Sequence, residues 1–148
     1  MLLIPTYLAP SRIAGIGLFT AVRIPHGRTI WLFDEHVDWR LTGKQLAAFP
    51  QPVRQQLRHW CYEEVDGRYV LCGDNAKFMN HSFEPNCHDP GGIMTVAGRD
   101  IEANEELTSD YRTFDAESAR SGLLEWRGGT EMEPVELVGQ GSRNGRGR

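Results

Sequence analysis

Asn75-Ala76-Lys77-Phe78-Met79-Asn80-His81-Ser82-Phe83-Glu84-Pro85-Asn86-Cys87 sets an amide, an imidazole and a hydroxyl side by side, directly after two apolar residues. Asn80, His81 and Ser82 together offer several donors and acceptors in three consecutive positions. Phe78 and Met79 supply the apolar side that would hold such a group against a core. A single histidine in this setting is more often a satisfied structural residue than a catalyst. The stretch therefore takes its meaning from what lies around it.

Downstream, Ile101-Glu102-Ala103-Asn104-Glu105-Glu106-Leu107-Thr108-Ser109-Asp110-Tyr111 reads as an acidic turn leading into a strand that ends in a tyrosine. Upstream, Ser11-Arg12-Ile13-Ala14-Gly15-Ile16-Gly17-Leu18-Phe19 contains a G-x-G, where the missing Cβ atoms let backbone approach a ligand or a neighbour closely. This is not a dinucleotide fingerprint, because the third glycine is absent and Pro25 stands where a helix would have to run.

Between and around these segments the chain reads as short strands. Ile16 to Val22 and Thr29 to Phe33 are apolar and β-rich, separated by the turn Ile24-Pro25-His26-Gly27. Arg68 to Cys72, Ile93 to Ala97 and Glu106 to Ser109 continue the β character. Thr42 is an N-cap for a brief helix that stops before Pro50. A second helix is expected from Pro52, with Val53, Leu57, Trp60 and Cys61 on one face. Thr113 or Asp115 would cap a short helix ending near Gly122. This pattern of many short strands with a helical insertion at about 42–62 excludes an alternating βαβ architecture.

Taken in order, the three segments resemble the SET-domain family of protein lysine methyltransferases. That family carries a G-x-G-L-F turn, an N-H-S-x-x-P-N-C segment and a G-E-E-L-T-x-D-Y segment. Here they are Gly15 to Phe19, Asn80 to Cys87 and Asn104 to Tyr111, and the resemblance spans roughly Ser11 to Thr113. It implies a mainly β fold of several small twisted sheets, in which the Asn80 and Tyr111 segments form a C-terminal pseudoknot. It implies a SET domain over residues 1–127, with 128–148 a flexible tail of glycine, serine and arginine.

The resemblance also implies S-adenosylmethionine as cofactor, held by the backbone of Ala14, Gly15, Ile16 and Gly17 with Asn80 and His81, and a substrate lysine entering from the opposite face. Tyr111 would be the active-site tyrosine, and Phe33 and Phe114 would join it in the wall of the lysine channel. Methyl transfer from a sulfonium to a neutral amine needs alignment and electrostatics, so no catalytic carboxylate is expected. None of Glu105, Glu106 or Asp110 is given that role. Several positions depart from the family pattern: Phe33 stands where a channel tyrosine often lies, Phe83 replaces a cysteine, and Asn104 replaces a glycine. No cysteine follows Tyr111, so a Cys-rich zinc-binding lid is missing. Trp126 is the candidate aromatic plate over the cofactor in its place, unless a homodimer partner completes the channel. The reading from a different class is a catalytically silent SET module that binds a peptide or cofactor.

The chain has 148 residues, enough for one domain with its own core. A mean hydropathy of −0.44 and the lack of a long apolar run exclude a membrane span, and the opening Met1-Leu2-Leu3-Ile4-Pro5 does not read as a signal peptide. A cytoplasmic protein is expected, with nuclear and exported destinations left open. Cys61, Cys72 and Cys87 are odd in number and widely spaced, which suits free thiols, and with His88 they lack the C-x-x-C that would nucleate a zinc site. The net charge is −4, and it becomes −7 when Arg143, Arg146 and Arg148 of the tail are set aside. An acidic body disfavours nucleic acid and suits a basic, lysine-containing protein partner.

Overall fold

The computed structural model describes residues 1–121. Four small sheets follow from the short apolar segments. Strand β1 (Thr6–Pro10) pairs antiparallel with β2 (Ile16–Thr20) around the Ser11–Gly15 turn, where the Ser11 N–H donates to the Gly15 carbonyl. Strand β3 (Thr29–Leu32) and strand β4 (Trp39–Leu41) follow. Helix α1 (Gly43–Ala48) begins at Thr42, whose side chain accepts from the Gln45 N–H while Gln45 reaches back to the Thr42 N–H. This reciprocal capping box fixes the helix start and agrees with the N-cap expected from sequence.

Helix α2 (Gln51–Trp60) carries Pro52 in its first turn and ends one residue earlier than expected. Cys61 belongs to strand β5 (Cys61–Glu63), whose antiparallel pairing with β6 (Tyr69–Leu71) draws it out of the helix. Leu57 on the α2 face is half-buried, while Val53 and Trp60 are largely exposed. Strands β4, β6 and β5 form one three-stranded sheet. The remaining strands are β7 (Asn80–His81), β8 (Cys87–His88), β9 (Met94–Ala97) and β10 (Thr108–Ser109). Strands β3, β9 and β8 form a second three-stranded sheet, and β7 lies parallel to β10. Helix α3 (Ala116–Ser121) is capped by Asp115, whose side chain accepts from the Ser118 N–H at 3.1 Å.

The core gathers single residues from β2, β3, β8 and β9 and from the segments between strands: Leu18, Ile24, Ile30, Met79, Cys87 and Leu107 are all under one-tenth exposed. No single sheet is wide enough to bury a face alone, so stability comes from packing the sheets against one another. The isolated pairings of Phe19 with Glu106 and Ile24 with Ile101 tie the β2 segment to the late acidic turn. In that turn Asn104 takes a φ of 68°, the left-handed conformation that asparagine tolerates. Among the described residues all three cysteines are free, and no group of three or more metal-ligating side chains gathers. No described helix is long and apolar enough to cross a membrane.

Candidate functional site

The first segment singled out in the sequence is held to the last by hydrogen bonds that only a folded chain can make. Asn86, 4% exposed, accepts the Thr108 N–H on Oδ1 at 2.9 Å and donates from Nδ2 to the Glu106 carbonyl at 2.8 Å. The Asn86 N–H in turn donates to Thr108 Oγ1 at 3.2 Å. This side chain substitutes for a strand where two stretches run too briefly to pair further. Asn86→Ala should strand a buried N–H and a buried carbonyl, and destabilise the chain by about 3 kcal/mol. Urea denaturation measures this, and a loss below about 1 kcal/mol would contradict the role.

With that clamp in place, β7 and β10 set Asn80 opposite Thr108 and His81 opposite Ser109. Asn80 Nδ2 donates to the Ala14 carbonyl at 3.1 Å and to Glu106 Oε1 at 2.8 Å, with a longer contact to the Ile16 carbonyl at 3.5 Å. The Ala14–Gly17 backbone and Asn80 are thus brought together. Glu106 Oε2 accepts from Ser11 Oγ at 2.9 Å, so one carboxylate fastens the glycine turn to the late strand. A Cβ on Gly17 would fall on Glu106 Oε1, whereas beside Gly15, with φ +46°, the space is open. A side chain at the second glycine of the G-x-G would therefore have to displace the Glu106 carboxylate from its place. Sequence reasoning missed this use of Glu106, because an acidic pair on a turn normally signals a solvated face.

His81 is 2% exposed, and its Nδ1 accepts the Tyr111 N–H at 3.2 Å. That bond places the imidazole proton on Nε2. Burial lowers the His81 pKa, and the Asp110 carboxylate 3.9 Å away opposes the shift. Tyr111 closes the arrangement: its hydroxyl donates to the Met79 carbonyl at 2.6 Å. Burial, reinforced by the Asp115 and Asp89 carboxylates, pushes the Tyr111 phenol well above its ordinary pKa. It is a protonated hydrogen-bonding group throughout the physiological range, not a base.

Tyr111 and Met79 form part of a cleft of about 370 Å³, walled also by Trp31, Trp60, Tyr62 and Phe114. The Tyr62 and Phe114 rings meet edge to face at 5.1 Å, and Phe114 meets Tyr111 at 5.7 Å. Asn80, His81 and the glycine turn do not line this cavity; they adjoin it through Met79 and Tyr111. Tyr111 and Phe114, both expected in a channel wall, lie together here. Phe33 does not line this cavity. β3 ends at Leu32, and the Phe33 ring packs beneath the Arg40 guanidinium at 4.1 Å, lining a separate depression with Trp39 and Leu41. Trp31, two residues earlier, takes the place in the cavity wall. Trp126 lies outside the described residues.

Cys61 and Cys72 also reach the cavity, and burial pushes their thiols up to about 11 and about 12. Neither is a thiolate at neutral pH, so neither is a nucleophile there.

Comparison with known proteins places this geometry. Residues 15–112 match the family model of the SET domain. Human histone-lysine N-methyltransferase 2D is 30% identical over 123 residues, which are 75% of this chain and 2% of that protein. Histone-lysine N-methyltransferase EZ2 of Zea mays is 42% identical over 62 residues, 33% of this chain and 7% of that protein. A crystal structure of a Plasmodium falciparum protein described as a histone methyltransferase matches with a TM-score of 0.54 at 18% identity, covering 73% of this chain and 93% of that one. At that identity the likeness concerns the fold. The chain spans only a few per cent of the length of the curated relatives it matches.

Proposed function

The chain belongs to the SET-domain family, and we propose that it is an S-adenosylmethionine-dependent protein-lysine N-methyltransferase. The observation that carries this reading is the position of Tyr111: one residue joins the Asn80-His81 segment, through Met79 O and His81 Nδ1, to an aromatic cavity.

The residues beside the glycine turn fit the cofactor. Open space adjoins Gly15, Ile16 is about half exposed, and Asn80 Oδ1 has no partner among the described residues. Exposed backbone and an uncommitted amide oxygen suit a ligand carrying both an ammonium and a carboxylate. In this reading the backbone of Ala14, Gly15, Ile16 and Gly17, with Asn80 and His81, holds S-adenosylmethionine, and bound there it supplies a methyl group already activated for displacement. Glu106 holds the turn and Asn80 in register.

The chain's own part is binding, orientation and exclusion of water. Aromatic walls disfavour a charged lysine side chain and so favour the neutral amine. Because the Tyr111 proton is committed to the Met79 carbonyl, the phenolic oxygen presents lone pairs to an incoming N–H. Tyr62 donates its hydroxyl proton to the Gly92 carbonyl at 2.6 Å and serves as a fixed wall. The acid excess of the body suits a basic protein substrate, with encounter steered by charge.

Incubation with labelled S-adenosylmethionine and a panel of basic proteins tests the reading, with label expected on lysine. Asn80→Ala should weaken cofactor binding by about tenfold or more, since it removes both an acceptor and the tether of the glycine turn. Calorimetry with S-adenosylhomocysteine measures that loss; unchanged affinity would remove Asn80 from the cofactor site.

A further inference from the structure

Two buried polar atoms in the cavity wall lack a hydrogen-bonding partner among the described residues: Trp31 Nε1 and Asp89 Oδ2. Thr95 links the two residues. Trp31 pairs with Thr95 across β3 and β9, so both side chains face the same way. Thr95 Oγ1 then donates to Asp89 Oδ1 at 2.5 Å. One carboxylate oxygen is pinned and the other is left bare in a cleft whose wall carries Trp31, Tyr62 and Phe114 together with Arg58, His59 and Lys77. The Ser109 hydroxyl lies 2.9 Å from Met79 Sδ and also acts on the Asp89 carboxylate.

A buried, unpaired carboxylate oxygen is costly unless something arrives to satisfy it. What suits it is a cation bearing N–H groups. Other acidic residues of the cleft are spoken for or lie outside its depth. Asp115 accepts from the Glu63 N–H at 2.9 Å and from the Ser118 N–H, and Glu117 is exposed. Tyr111 is protonated and cannot take a proton.

Resting on the methyltransferase reading above, we propose that Asp89 receives the ammonium group of the incoming lysine and takes its proton, leaving the neutral amine that methyl transfer requires. One Nζ–H bond breaks, its electron pair stays on nitrogen as the nucleophilic lone pair, and an O–H bond forms at Asp89 Oδ2. That proton returns to solvent after the product leaves. Burial raises the Asp89 carboxyl pKa, with the Thr95 and Ser109 hydroxyls, then His88, acting against it and Asp110 adding to it. Cys87 and Tyr111, which feel the Asp89 charge, are held protonated by burial, and Arg58, His59, Lys77, Cys61 and Cys72 line the same cavity. An apolar wall lowers a lysine ammonium's pKa as it raises a carboxyl's, so the two approach one another and the transfer becomes feasible.

Asp89→Asn keeps the shape and an acceptor for Thr95 while removing the base. Its turnover on a lysine substrate should fall about 10²-fold or more at neutral pH and recover progressively toward pH 10, where lysine loses its proton unaided. A deficit that does not shrink with rising pH overturns the proton role. A binding arm needs neither substrate nor methyl transfer: n-butylammonium should bind the unaltered chain with S-adenosylhomocysteine present, and about tenfold or more weakly after Asp89→Asn, with n-butanol unaffected. Equal binding of n-butylammonium to both chains overturns the proposal. If Asp89→Asn does not fold, equal affinity of the unaltered chain for n-butylammonium and n-butanol does the same. If the chain transfers no methyl to any lysine, the methyltransferase reading fails, and the binding arm alone judges Asp89.

Discussion

Tyr111→Phe is expected to lower methyl-transfer turnover by about 10²-fold while leaving the affinity for S-adenosylhomocysteine within about twofold. The hydroxyl does two things that a phenyl ring cannot. It saturates the Met79 carbonyl at 2.6 Å, and it leaves its own oxygen lone pairs facing whatever occupies the cleft. The ring contacts with His81 and Phe114 survive the substitution, and so does the Tyr111 N–H bond to His81. Binding on the Asn80 side should therefore persist while alignment at the reacting centre is lost. Single-turnover rates alongside calorimetry separate the two quantities. A variant that loses both equally would make Tyr111 a structural clamp and nothing more.

Gly73→Ala is expected to be among the most destabilising of single-methyl additions, by about 3 kcal/mol or more, which for a chain this size lowers Tm by roughly 10 °C. A Cβ at Gly73 would overlap the Val37 carbonyl oxygen and lie 2.8 Å from the Val37 carbonyl carbon. Both are backbone atoms, and backbone does not rotate aside. The same glycine donates its N–H at 3.0 Å to Asp38 Oδ1, and that carboxylate also accepts the Asp34 N–H at 3.0 Å. Asp38 is only 2% exposed, so pushing the Val37 turn away from Gly73 would leave a buried carboxylate short of donors. Gly43→Ala is the control: it stands at the start of α1 with nothing near its Cβ, and it should be neutral or slightly stabilising. Parallel thermal melts of the two variants check the contrast. Similar losses for both would show that the Val37 contact relaxes easily.

Residues whose chemistry acts within a few positions are legible in the sequence. Thr42 caps α1 because its hydroxyl reaches Gln45 three residues on, and Asp115 caps α3 by the same reach to Ser118. Asn104 adopts positive φ because its short polar side chain permits it. Strands β1 and β4 leave no such signal. β1 has only two half-buried positions, and β4 is three residues long with its tryptophan largely exposed, so neither shows a period. Cys61 continues a helical stripe in sequence, yet pairing with Leu71 turns it into strand.

The family and the order of the three segments can be read from the amino acids alone, since these depend on residue identity at fixed short spacing. Three further points rest on how the chain folds back on itself. The Glu106 carboxylate, 89 positions away, occupies the space beside Gly17; Trp31 walls the cleft where the sequence points to Phe33; and Asp89 keeps a bare oxygen there. Each depends on which distant side chain ends up within a few ångströms, and on what burial then does to it. Distance along the chain carries no record of that.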